Sequence, residues 1–123
     1  INEEHSEELK NDFITPLKKS IEHLQAALMF FMQNGLKNPL SAVSGATDFL
    51  HLVGLVSLGF IWSKKAQSAK DRLKDVSANK NFLEAKILTG SYFMHRQLPE
   101  TKLRLDRILT GEKQVMSLAV DQF

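Results

Sequence analysis

Apolar residues recur at steps of three and four over the first third of the chain, and this spacing constrains the fold more than any other feature. The residues that carry it are Leu9, Phe13, Leu17, Ile21, Leu24, Leu28 and Phe31. Such spacing places them on one face of an α-helix, which we predict from about Glu3 to Asn34. Pro16 lies inside this helix and predicts a kink or a later helix start, because proline removes a backbone donor. Asn34–Gly35 predicts a left-handed stop.

A second helix is predicted from about Ala42 to Val76, with a middle that is apolar nearly all round, as is typical of the most central helix of a bundle. Its uncharged run, Phe49–Trp62, is shorter than the roughly 20 residues that span a bilayer. We therefore expect a buried core helix and no membrane span. Three glycines inside it predict the close approach of a neighbouring helix; they are Gly45, Gly54 and Gly59.

A third helix is predicted to start near Asn81, with its apolar stripe on Leu83, Ile87, Gly90, Met94 and Leu98. It should bend or restart at Pro99, and a short last helix is predicted over Glu112 to Val120. No strand alternation of useful length is present. The expected fold is all-α: one domain over residues 1–123, an antiparallel helical bundle of three long helices plus a short C-terminal helix.

Composition excludes several function classes. There are no cysteines, which excludes disulfides and thiolate chemistry and fits a reducing compartment, so we expect a cytoplasmic protein. Sixteen basic and 14 acidic residues give a net charge of +2, too balanced for a nucleic-acid partner. The sequence opens on Ile1 and shows no signal peptide, from which we expect a piece of a longer polypeptide.

The residues that could carry chemistry form no recognised motif. The histidines are His5, His23, His51 and His95, and none is three or four residues from another, so helix-borne metal motifs are absent. Asp48 and His51 are one helical turn apart, so their side chains can touch. They form either a histidine base oriented by a carboxylate or a buried polar pair whose hydrogen bonds are satisfied. No nucleophile elbow or phosphate-binding glycine loop occurs. We expect no catalytic, cofactor-binding or metal-binding residue in this chain.

Two clusters leave more than one interpretation open. The basic residues late in the second helix complement the helix dipole or form a phosphate-binding patch; they are Lys64, Lys65, Lys70, Arg72 and Lys74. The bulky end of the first helix is either core or a surface that docks on another domain or subunit. We assign it as a possible interface, formed by Met29, Phe30, Phe31 and Met32.

Three stretches carry a resemblance to a known family. They are PLKKSIEHLQAALMFFMQNGLKNP (Pro16–Pro39), GATDFLHLVGLVSLGFIWSKKA (Gly45–Ala66) and NFLEAKILTGSYFMHRQLPET (Asn81–Thr101). In this order they resemble three successive helices of a C-terminal domain found in one group of bacterial acyl-CoA dehydrogenases. The resemblance covers nearly the whole chain, and its motifs are structural, not catalytic.

The resemblance implies an accessory domain of a flavoenzyme. Such enzymes use FAD to remove two hydrogens from the α and β carbons of an acyl-CoA thioester in fatty acid β-oxidation, with a glutamate as the base. Those parts are implied to lie upstream, so FAD belongs to the parent enzyme and not to this chain. The expected partners are the remaining domains of the parent enzyme, and a homo-oligomer would add further copies of the chain. The alternative is a free-standing helical module that associates with itself.

Overall fold

The computed structural model describes residues 7–123, and this part of the chain is helical, without strands. A turn at Glu7–Leu9 leads into a π-helical turn, Lys10–Ile14. Five α-helices follow: α1 (Thr15–Asn34), α2 (Pro39–Arg72), α3 (Lys80–Tyr92), α4 (Glu100–Leu109) and α5 (Lys113–Met116). A second π-helical turn, Phe93–Gln97, continues α3, and a 3₁₀ turn, Val120–Gln122, ends the chain. The all-helical prediction is confirmed.

Each π-helical turn ends two residues before a proline. The amide of Thr15 donates to the carbonyl of Lys10, and Pro16 follows. The amide of Leu98 donates to the carbonyl of Phe93 at 2.9 Å, and Pro99 follows. A proline has no N–H to continue the ladder, so a wider turn precedes each one. The restart predicted at Pro99 is found. At Pro16 the alternative of a late start is wrong, because the chain is already helical from Glu7 and passes Pro16 without a break.

The core consists of two clusters stacked along the helices. One surrounds Phe13 and joins the π-helical turns to α1 and α2; its members are Leu9, Phe13, Leu17, Ala66, Phe93, Met94 and Leu98. The other joins α1, α2 and α4 and comprises Ala27, Leu52, Val56, Leu105 and Ile108. The predicted stripe of the first helix is buried at Leu17 but exposed at Leu28. The helix therefore turns part of its apolar side to solvent near its C-terminal end.

Contacts between α1 and α2 run in opposite order along the two helices. A Cβ on Gly45 would lie 3.1 Å from the ring of Phe31, and one on Gly59 would lie 3.4 Å from Leu17. The side chain of Lys70 contacts Glu8. Late residues of α1 thus meet early residues of α2, and early residues of α1 meet late ones.

Glycines admit close helix packing at two of the three positions predicted. Gly45 packs against Phe31 and Gly59 against Leu98, which a Cβ would meet at 3.2 Å. Gly54 is exposed, with no atom within 4 Å of a Cβ built on it, so the prediction of a neighbouring helix is wrong there. The closest approach lies elsewhere, at Gly90 on α3, where a Cβ would lie 2.8 Å from Phe13 and 2.9 Å from Trp62.

Three predicted boundaries are wrong. The second helix begins at Pro39, not Ala42, because proline is well suited to the first helical position. Gly35 has a right-handed φ of −62°, and the left-handed glycine is Gly111, with φ 72°. The last helix spans only Lys113–Met116, since no residue of this segment is buried to hold a longer helix in place.

Candidate docking surface

One side of α2 is apolar and open to solvent. The residues that form it recur at helical spacing, and we name them the α2 face: Val43, Leu50, Gly54, Leu58 and Ile61. Leu50 is 71% exposed, whereas Leu52, on the opposite side of the helix, is 0% exposed. The prediction of a buried core helix therefore holds for one side of α2 and is wrong for the other.

The α2 face lies in a stretch with almost no charge. Between Leu40 and Ser63 the only Asp, Glu, Lys or Arg is Asp48. Its side chain is half-buried and turns to α4, where Arg104 donates to it at 2.9 Å. A mostly apolar exposed surface without Asp, Glu, Lys or Arg is typical of a protein surface that another partner covers.

The same helix meets the length and composition of a membrane span. Within residues 7–123 this applies to one helix, Pro39–Arg72, and 22% of its most apolar window is buried. Core helices of soluble proteins share this length and composition, although most of their surface is buried. Here α2 contacts α1, α3 and α4 through its buried side, so it is a packed bundle helix with one uncovered face.

The predicted interface at the end of α1 divides into two parts. Met29 and Met32 are exposed, the latter at 74%. Phe30 and Phe31 are half-buried and pack against the second core cluster. The ring of Phe31 meets that of Phe49 edge to face, with 5.2 Å between the ring centroids. Phe31 therefore contributes to the core, and the two methionines form the exposed part of the predicted interface.

The polar pair predicted from Asp48 and His51 is not formed. Asp48 is bound by Arg104, with Arg107 at 3.7 Å, while His51 is exposed on the outer side of α2. A carboxylate that orients a histidine base is therefore not present at this position. The hypothesis of a base oriented by Asp48 is wrong because two arginines of α4 compete for its carboxylate.

The other histidines lie apart from one another. His23 on α1 shares a hydrogen bond of 2.8 Å with the hydroxyl of Thr101 at the start of α4. His95 lies 3.4 Å from Asp12, where the two π-helical turns meet. His5 lies outside the described residues. Within residues 7–123, no three side chains of His, Asp or Glu come together as a metal site would require.

A cavity of about 150 Å³ adjoins His23. Its floor includes Met94 and Leu98, and its rim carries Lys19 and Lys102. Burial, and then the charges of these two lysines, lower the pKa of His23 below its ordinary value. This shift favours the neutral imidazole, whose hydrogen bond with Thr101 links α1 to α4.

The basic residues of α2 have different surroundings. Lys70 pairs with Glu8, and Lys74 lies 3.9 Å from Asp71. The ammonium of Lys65 lies 5.1 Å from the ring centre of Trp62. Lys65 and Arg72 line a groove between α2 and α3. The structure thus separates the predicted cluster into paired residues and groove residues.

The α2 face is the candidate surface that sequence reasoning missed. The sequence did contain a signal for it. A helix that is apolar on all sides must be packed on all sides to be fully buried, and only three other helices were predicted to surround this one. Gly54 was a second signal: a glycine in a helix interior costs about 1 kcal/mol unless close packing requires it. Neither signal shows which side is left open, because that depends on tertiary packing.

Comparison with known proteins agrees with the resemblance noted from the sequence. The family described as acetyl-CoA dehydrogenase C-terminal like matches residues 1–119 of the 123. No curated protein matches the chain. The matched span includes all of α1 to α5 and therefore both core clusters and the α2 face. The chain belongs to the acetyl-CoA dehydrogenase C-terminal-like family.

Proposed function

We propose that the chain is a non-catalytic C-terminal domain of an FAD-dependent acyl-CoA dehydrogenase and that its α2 face docks on the remaining domains of that enzyme. The family match supports a place at the end of such an enzyme. The observation that carries the docking role is the uncharged, solvent-exposed row from Val43 to Ile61. In the cytoplasm, a row of this kind favours burial against protein.

The arrangement of helices suits this role. From the order of contacts between α1 and α2 we infer an antiparallel bundle, formed by the described residues 7–123 as a single domain. Its buried side is held by α1, α3 and α4, so α2 offers a rigid outer face. Because the bundle already holds α2 in place, docking through this face costs little conformational entropy. Such a surface can perform three physical tasks: it can pack against the parent enzyme, support its subunit interface or close its acyl-chain tunnel.

The reading frame and the chemistry of the isolated chain provide the first test. We expect the frame to continue upstream of Ile1 into several hundred codons that encode a flavoenzyme. We expect the purified chain, mixed with FAD and an acyl-CoA, to leave an electron-acceptor dye unreduced. A start codon directly before Ile1, or turnover by the chain alone, would contradict the proposal.

The docking face has a sharper test, because the chain contains no cysteine. Leu50→Cys places one thiol on the α2 face, and Gln25→Cys places one on the exposed side of α1 as a control. Maleimide labelling is followed at each peptide by mass spectrometry. We expect labelling at position 50 to be slow in the full-length enzyme and fast in the isolated chain, with position 25 fast in both. Protection at position 50 by phospholipid vesicles instead would assign the face to a membrane and refute docking.

The exposed methionines favour one alternative, a module that associates with itself through the end of α1. Met29 and Met32 form the exposed part of the predicted interface. Met32→Asp tests it without damage to the core, whereas Phe31→Asp would also disturb the contact with Phe49. Light scattering that shows a dimer for the chain and a monomer for Met32→Asp would support this alternative. An unchanged mass would dismiss it.

A further inference from the structure

A groove lies between the C-terminal part of α2 and the start of α3. It consists of two adjoining hollows of about 210 and 370 Å³ that share Arg72, Phe82 and Leu83 in their walls. The smaller hollow is also lined by Lys65, Ser68 and Lys86. For scale, a cavity of about 150 Å³ holds a molecule the size of benzene.

The smaller hollow concentrates positive charge without a countercharge. Its wall contains Lys65, Arg72 and Lys86 and no acidic residue. Within residues 7–123, no carboxylate lies within ion-pair distance of these three side chains. Asp75, in the wall of the larger hollow, is already bound by the amide and hydroxyl of Ser77.

The helix dipole does not account for this arrangement. Positive charge complements a helix C-terminus only within the last turn, which on α2 applies to Lys70 and Arg72. Lys65 lies about two turns before the end of the helix, and Lys86 belongs to the middle of α3. The fold therefore brings Lys65 and Lys86, for which the helix dipole does not account, next to Arg72.

The groove also has an apolar side. Phe82 is 54% exposed at its edge, and the buried side chain of Leu83 lies beneath. The ammonium of Lys86 lies 5.3 Å from the centre of the Phe82 ring. A ligand in this groove would meet positive charge and an aromatic ring side by side.

We propose that the groove binds an organic phosphate, with the phosphate between Lys65, Arg72 and Lys86 and an apolar or aromatic part against Phe82. A phosphate carries nearly two negative charges near neutral pH and several acceptor oxygens, which matches three cations. The guanidinium of Arg72 can donate two parallel hydrogen bonds to it. The hydroxyl of Ser68 is a further donor in the same wall. The inference is independent of the docking role of the α2 face.

Titration of the isotope-labelled chain with adenosine monophosphate, followed by NMR at low ionic strength, tests the proposal. Adenosine and inorganic phosphate are titrated in parallel. We expect saturable shifts centred on residues 65–72 and 82–86, weaker binding of inorganic phosphate, and binding of adenosine that is weaker still. Added salt should weaken the binding, because the groups are exposed. No saturable shifts, or adenosine that binds as tightly as its phosphate, would overturn the proposal.

Single charge removals identify the site. We expect Lys65→Gln, Arg72→Gln and Lys86→Gln each to weaken binding about fivefold, the size of one exposed ion pair. Lys18→Gln removes the same charge from the exposed side of α1 and should leave the affinity unchanged. Circular dichroism confirms that each variant is folded. Equal loss in Lys18→Gln would mean attraction by net charge alone and would overturn the proposal, as would binding to phosphatidylglycerol vesicles without binding of the nucleotide.

Discussion

The guanidinium of Arg104 on α4 donates to the carboxylate of Asp48 on α2 at 2.9 Å, and the two side chains are 18% and 17% exposed. The same guanidinium donates to Glu100 at 3.2 Å. These bonds are formed next to the second core cluster, where Leu105 and Ile108 of α4 pack on α2. The ion pair therefore fixes α4 at one position along α2 while the apolar contacts hold the two helices together.

Removal of the Asp48 carboxylate should destabilise the chain. Asp48→Asn leaves Arg104 half-buried with Glu100 as its remaining partner, and a sheltered charge that loses its partner costs more than an exposed one. Asp106→Asn breaks a pair of comparable distance with Lys102, 3.0 Å, that is exposed, and exposed pairs contribute little. Urea denaturation should show a clearly lower midpoint for Asp48→Asn than for Asp106→Asn. Equal midpoints would show that the ion pair of Asp48 contributes no more to stability than an exposed salt bridge does.

Two glycine substitutions should change stability in opposite directions. A Cβ on Gly90 would lie 2.8 Å from Phe13 and 2.9 Å from Trp62, so Gly90→Ala overpacks the core and should cost about 1–3 kcal/mol. A Cβ on Gly54 meets no atom within 4 Å. Gly54→Ala should therefore stabilise the isolated chain by up to about 1 kcal/mol, the helix-propensity difference. Thermal unfolding of both variants provides the comparison, and a stable Gly90→Ala would show that α3 can move away from the first π-helical turn and from α2.

Apolar periodicity was sufficient to predict most of the fold. The stripe of the third helix is buried as predicted at Leu83, Gly90 and Met94, because spacing alone decides which residues share a helix face. The π-helical turns were not predicted, although Pro16 and Pro99 mark their ends, since a missing donor can be accommodated by a kink, a break or a wider turn.

The candidate surfaces were less predictable, because they depend on which helices meet. Periodicity cannot show that Leu50 faces solvent while Leu52 faces α1 and α4. Asp48 and His51 were correctly placed one turn apart, but the competing partner, Arg104, is 56 residues away in sequence. Likewise, Lys86 joins the basic residues of α2 only through the packing of α3. Contacts distant in sequence leave no local pattern.

Acid should weaken the contact between α1 and α4 through His23. Its pKa is lowered in the folded chain, so between that value and the unfolded value of about 6.5 the unfolded chain binds more protons. This contribution to stability is present above about pH 6.5 and is lost as pH falls toward the folded-state pKa. Denaturation midpoints measured from pH 7.5 downward should therefore fall more steeply for the wild type than for His23→Gln.

The control for this titration is His51, which is exposed on α2. We expect His51→Gln to keep the pH dependence of the wild type, because this side chain is exposed on the outer side of α2. If His23→Gln retained the full acid sensitivity, carboxylates alone would account for the loss of stability. The hydrogen bond between His23 and Thr101 would then have no role in it.

Leu50 and Leu52, two residues apart on α2, test the orientation of this helix directly. Leu52 is 0% exposed within the second core cluster, and Leu52→Ala should cost about 2–5 kcal/mol through lost burial and the cavity left behind. Leu50 is 71% exposed, and Leu50→Ala in the isolated chain should change stability by no more than about 0.5 kcal/mol. Chemical denaturation of the two variants measures both values. A large loss in Leu50→Ala would mean that the chain already covers its α2 face, by self-association or otherwise, and the free surface on which docking depends would not exist. With Leu50→Ala neutral in isolation, any destabilisation that it causes in the full-length enzyme reports the contact with the remaining domains.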